Sequence, residues 1–150
     1  MKLFDLEIRY PKHSHPDEAE RFMGLDPQTI LAHFDALNLR KLQIQQLELD
    51  GPSTSIKVTD QETGQSCTLS LNAFSEEAEY QFKLESNIDV VIPHKNLFGL
   101  LTVNAKHRVH HKQIPCSQAR EYLNYLVHGH LDKFKAVYLV YHNTPKASKV

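Results

Sequence analysis

Residues 104–113 read NAKHRVHHKQ, with three of the chain's ten histidines, two lysines, an arginine and no acid. Imidazoles bind metals or move protons near neutral pH, and a row of cations attracts an anionic partner. Spacing separates these options. On a strand, alternate residues share a face. His107 and His111 then point with Leu101, Val103, Ala105 and Val109, while Lys106, Arg108, His110 and Lys112 point the other way. Four residues of strand set the α-carbons of His107 and His111 roughly 13 Å apart, too far to share one metal ion. The i, i+2 spacing occurs instead in HSH at 13–15 and HGH at 128–130. The first falls in a proline-containing loop and the second at a helix end. Neither has a nearby cysteine or a regular third ligand, and zinc takes three or four protein ligands. No metal and no cofactor is expected.

Base or triad catalysis needs a histidine beside an acid or a nucleophile. The chain has no nucleophile elbow, zinc-protease pair, phosphate loop or dinucleotide fingerprint. A metal-free His-pair nuclease would use two of His107, His110, His128 and His130 with Lys112. Cys67 and Cys116 are the only cysteines. Two distant thiols build neither a disulfide framework nor a zinc knuckle, so both are read as reduced small hydrophobes in a cytoplasmic protein.

The outward row is better defined. Lys106, Arg108, His110 and Lys112 stand about 7 Å apart on one strand face, near the spacing of phosphates along nucleic acid. An acidic protein surface is the other natural partner. No aromatic residue in the row would stack bases. Two acidic clusters balance it, Asp17, Glu18 and Glu20, and then Glu76, Glu77 and Glu79. These suit the capping of a basic target. The segregation runs through the chain. Residues 1–89 hold 8 Lys+Arg against 16 Asp+Glu, and residues 90–150 hold 9 against 2. Such asymmetry bears on partners and local fields, and it also lets the two parts attract each other within one fold.

Several elements must position these groups. Phe4, Leu6, Ile8 and Tyr10 alternate as the apolar face of a first strand. Pro16, followed by Asp17, Glu18 and Glu20, predicts a short helix ending at Gly24. Asp26 caps a second helix with Pro27 at its first position, and Ile30, Leu31, Phe34 and Leu37 follow at helical spacing. KLQIQQLELD at 41–50 reads as a strand with a bulge near Gln45 and Gln46. SIKVTD and SCTLSLNAF form a hairpin. Ala78, Tyr80, Phe82 and Leu84 alternate in a strong strand whose parity resumes at Ile88, Val90 and Ile92, with a bend at Ser86-Asn87. Residues 97–113 return as its antiparallel partner. A helix capped by Ser117 buries Ala119, Tyr122, Leu123, Leu126 and Val127 and ends at Gly129. KFKAVYLVYH, rich in β-branched and aromatic residues, reads as a last strand. Residues 143–150 read as a frayed tail.

The chain therefore reads as a single α+β domain over 1–150. It has a mostly antiparallel sheet of six to seven strands, with two N-terminal helices and one late helix on one face. A strand, two helices, an antiparallel run and a late helix resemble the helix-grip architecture, and no function is carried over. No apolar run approaches the length of a membrane span, and Asp5 and Glu7 interrupt any signal-peptide core. The expected function is a non-enzymatic protein-binding module. Its most concrete form is a cytoplasmic inhibitor or immunity-type protein that neutralises a basic toxin or nuclease by charge complementarity. Two alternatives stand beside it. One is nucleic-acid binding through 106–112. The other is a small-molecule binder or hydrolase with a pocket between sheet and helices.

Overall fold

The computed structural model describes residues 2–74, 78–96 and 101–143, and the side chains of all these except 94–96, 101, 142 and 143. Six strands form one antiparallel sheet, β1 Phe4–Arg9, β2 Glu20–Leu25, β3 Ser55–Asp60, β4 Ser66–Leu71, β5 Gln81–Asn96 and β6 Leu101–Pro115. Their order is β2-β1-β3-β4-β5-β6. Four α-helices complete the described fold, α1 Pro27–Asp35, α2 Leu39–Leu49, α3 Cys116–Val127 and α4 Leu131–Asn143. No helix among the described residues is long and apolar enough to cross a membrane.

Alternation builds the core. Phe4, Leu6 and Ile8 are buried, and so are Ile56, Val58, Cys67, Leu69, Phe82 and Leu84 on neighbouring strands. The helices cover this face. α1 packs on β1 and α3, and α3 packs on β4, β5, β6 and α4. The rings of Phe34 and Phe82 meet at 5.7 Å, tying α1 to β5. Ala119, Tyr122, Leu123, Leu126 and Val127 are all buried, as the helical spacing predicts. The other sheet face is open among the described residues, with Lys57, Lys83, Glu85 and the β6 cations on it.

Three segments differ from the sequence expectation. The helix expected from Pro16 to Gly24 is one 3-10 turn, Pro16–Glu18, followed by β2. Phe22 turns inward opposite Leu6, so burial beside β1 outweighs the helix-start signal. Gly24 takes φ +67, and its N–H donates to Asp5 Oδ1 at 3.1 Å, at the shifted register of this pair. Residues 39–49 are helix rather than bulged strand. Asn38 Oδ1 accepts the Lys41 N–H at 3.2 Å as its cap, and Leu42 is its one buried residue. Residues 131–143 are helix rather than strand, with Phe134 and Tyr138 on one buried stripe. Tertiary packing overrides the β propensity there.

Smaller corrections concern α3 and the long strands. Ser117 does not cap α3; Pro115 stands at the N-cap with no side-chain bond. The bend expected at Ser86-Asn87 is a bulge within β5, where Glu85 pairs His110 and Asp89 pairs Arg108. Three β5 residues thus face Val109 alone, and Ser86 donates its hydroxyl to Val109 O at 2.7 Å. Inward parity survives, and Ile88, Val90 and Ile92 are buried. Val103 is 46% exposed, although its parity groups it with the buried Val109. It pairs His94 of β5, far past Cys67↔Ser86 where the pairing of β4 with β5 stops, so the sheet there is reduced to β5 and β6. Tyr80 precedes β5 and is half-buried. The side chain of Leu101 lies outside those described; of the expected frayed tail 143–150, Asn143 is the last residue of α4 and the remainder lies outside the described residues.

Candidate basic edge and histidine cluster

Strand β6 sorts its histidines as the alternation requires. His111 is 2% exposed and His107 half-buried on the core side, while His110 is exposed on the open face. His111 Nε2 lies 2.7 Å from the Tyr122 hydroxyl, both buried, and the tautomer decides which donates. Its ring also meets those of Tyr138 at 5.2 Å and Tyr141 at 4.4 Å. Burial, with smaller contributions from Tyr138 and Glu121, pushes the Tyr122 phenol far above its ordinary range. The phenol is therefore neutral at physiological pH. This enclosed hydrogen bond orders the core where α3 and α4 meet β6.

The remaining histidines are dispersed. His13 is buried, and its Nδ1 accepts the Tyr10 N–H at 2.9 Å, closing the loop after β1. His15 is exposed at the 3-10 turn. His128 and His130 lie exposed at the α3–α4 turn with rings 6.2 Å apart; His128 Nδ1 sits 2.9 Å from Asn124 O. His107 and His110 thus lie on opposite faces of β6, while His128 and His130 share the α3–α4 turn. No group of three or more potential metal ligands gathers among the described residues.

The basic row is continuous and outward. Lys106, Arg108, His110 and Lys112 are all exposed on the open sheet face. Strand β5 lines one flank with carboxylates. Asp89 lies 3.8 Å from Arg108, Glu85 pairs across from His110, and Glu85 also meets Lys83 at 3.0 Å. Lys106 pairs across from Val91, itself 54% exposed. Leu84 pairs His111 and Phe82 pairs Ile114, so Lys112 and Gln113 share the bulge opposite Lys83. The other flank of β6 has no strand beside it among the described residues, because β6 ends the sheet.

The acidic candidates carry local structure. Asp17, Glu18 and Glu20 are exposed at the 3-10 turn and the start of β2. Glu18 accepts the Ser14 hydroxyl at 3.1 Å and the His15 N–H at 3.2 Å, and these bonds hold its carboxyl below the ordinary range. Arg21 bonds the carbonyls of Pro16 and Asp17 and lies 3.6 Å from Glu7. Glu79 accepts the Ser117 N–H at 2.6 Å, supplying the cap expected of Ser117 itself. Glu76 and Glu77 lie outside the described residues.

Sequence reasoning missed the apolar residues of α2. Ile44, Leu47 and Leu49 are 45, 54 and 56% exposed. A strand over 41–50 does not place them so, and Asn38 as a cap is the signal for helix instead. A shallow cleft of about 330 Å³ between α2 and the end of β1 is lined by Tyr10, Lys12, Glu20, Leu37, Lys41 and Leu42 among others. Set against known proteins, the chain matches no family model, no curated protein and no solved structure.

Proposed function

We propose that this chain is a non-enzymatic protein-binding module that engages its partner along the outer side of β6. One observation carries the reading. A 15-residue strand ends the sheet with no strand on its outer side among the described residues, and it bears four basic side chains on its open face. An edge strand offers a row of main-chain donors and acceptors to another chain. Two further features support protein over nucleic acid. Glu85 and Asp89 interleave with the cations, and phosphates would meet those carboxylates. No aromatic ring stands in the row. His107 and His110 lie on opposite faces of β6, and the His128–His130 pair lies at the α3–α4 turn rather than on β6 with Lys112, which favours binding over catalysis. An inhibitor or immunity-type protein is the concrete form of such a module, and the asymmetric charge would steer its association.

Photo-crosslinking in the source cells tests the reading. A photoreactive residue is placed in turn at Thr102, Asn104 and His110, with comparison sites at Glu18, Glu20 and Thr59. A discrete protein adduct from the β6 positions is expected. Adducts to nucleic acid, or protein adducts from Glu18 and Glu20 alone, would refute the β6 interface; the latter would move it to the acidic cluster.

A further inference from the structure

We infer that the partner presents an extended acidic segment, which adds to the sheet as a strand beside β6. This inference rests on the β6 reading and names the chemistry that the edge selects.

The argument starts from how edges are guarded. Short length, proline, bulges and lysine are the usual devices against unwanted pairing. Strand β6 runs 15 residues, with Pro115 at its very end. Its bulge at Lys112–Gln113 lies near that end, so over residues 102–111 charge is its main guard. The guard discriminates by sign. Residues 104–113 contain no acid. Two copies paired antiparallel about a two-fold axis at Val109 would set Lys106 against Lys112 and Arg108 against His110. Like charges directly opposite on adjacent strands destabilise the pair. Other two-fold registers within this stretch also meet no acid. A second copy of the chain is therefore repelled at this edge.

An acidic strand meets the opposite situation. Added at about 4.8 Å from β6, its outward side chains would flank Lys106, Arg108 and Lys112 on the side away from β5. Strand β5 already shows the complementary pattern, with Asp89 3.8 Å from Arg108 and Glu85 across from His110. The open face of β5 and β6 still carries Lys83, Lys106, Arg108 and Lys112 against those two carboxylates. A segment with Asp or Glu at alternate positions would complete the balance while its backbone closes the ladder. Main-chain bonds would supply affinity and the alternate acids specificity.

The test uses synthetic eight-residue peptides alternating threonine with glutamate, lysine or glutamine, an N-methylated form of the glutamate peptide, and a ten-nucleotide oligothymidylate. Binding to the full chain is followed by backbone amide NMR and amide exchange. The glutamate peptide is expected to bind and to protect amides along 102–112, more weakly as salt rises. N-methylation should abolish binding. Lys106→Glu with Lys112→Glu should weaken the glutamate peptide about tenfold and strengthen the lysine peptide, because two cross-strand charge pairs change sign. An unchanged thermal melt shows that this variant folds. Lysine or glutamine peptides binding the same amides as tightly as the glutamate peptide would overturn the acidic partner and leave the β6 interface standing. So would glutamate binding that survives the double reversal. Peptides that leave the β6 amides unperturbed, with or without oligothymidylate binding there, would overturn both inferences.

Discussion

Replacing Tyr122 by phenylalanine removes one oxygen from the centre of the fold. The tyrosine is 0% exposed and His111 is 2% exposed, with Tyr122 Oη and His111 Nε2 2.7 Å apart. A typical hydrogen bond contributes about 1 kcal/mol net, but a buried group left without its partner costs about 1–3 kcal/mol. Tyr122→Phe should therefore destabilise the fold by about 1–3 kcal/mol. With a urea slope of about 2 kcal/mol/M, the unfolding midpoint falls by about 0.5–1.5 M. His111→Leu strands the phenol and also loses the ring contacts to Tyr138 and Tyr141, so it should cost at least as much. The double variant should cost less than the sum, by about 1–2 kcal/mol, since removing both polar partners is nearly neutral. Urea unfolding followed by circular dichroism provides all four corners of the cycle. Strictly additive costs, or a Tyr122→Phe midpoint equal to wild type, would refute the claim that this pair is an energetic unit.

Three further outcomes follow from the same structure. Burial raises the Asp60 carboxyl, but bonds from Lys2 and the N–H groups of Glu62 and Thr63 outweigh it and leave it below the ordinary range. Its contribution, about 1.5–3 kcal/mol, is thus present above the unfolded carboxyl value near 3.9 and is lost as pH falls through the lower folded value. The urea-midpoint gap between wild type and Asp60→Ala should be full at neutral pH and shrink below about pH 4; a gap that widens in acid would contradict the sign. Burial pushes the Cys67 thiol up to about 12, and burial, followed by Glu79 and Asp35, raises Cys116. Thiol titration at neutral pH should modify Cys116 slowly and Cys67 only on unfolding. Asp50 closes α2 at φ +47, where a side chain is strained, so Asp50→Gly should raise stability by up to about 1 kcal/mol in the same urea assay.

Legibility tracked how far one periodicity dominated a segment. Phe4-Leu6-Ile8 and Phe82-Leu84 alternate over strands covered on one face, so their pattern and burial agree. Asp26-Pro27 marks α1 with two concordant signals, and the α3 stripe from Ala119 to Val127 repeats at helical spacing. α2 misleads because it buries only Leu42, leaving Ile44, Leu47 and Leu49 to imitate alternation. In α4 the residues are β-formers by propensity, yet Phe134 and Tyr138, one helical turn apart, find a core to fill. β2 hides behind a proline and acids that start only a 3-10 turn. The basic row was readable because a strand fixes side-chain direction. That β6 ends the sheet was not readable, because strand order is set by long-range pairing.

The place of β1 sets the timetable of folding. It lies between β2 and β3, so it has one neighbour close in sequence and another that follows two helices. Phe4 pairs Asp60, and Lys2 reaches the same aspartate across 58 residues. A nascent chain can zip β1 to β2 early, but one side of that hairpin stays open until residues 55–60 have been made. Closing a long loop late delays folding and leaves an apolar strand waiting with one side unpaired. Until β3 is made, the hairpin of β1 and β2 keeps one edge unpaired, and α3, against which α1 packs, comes later still.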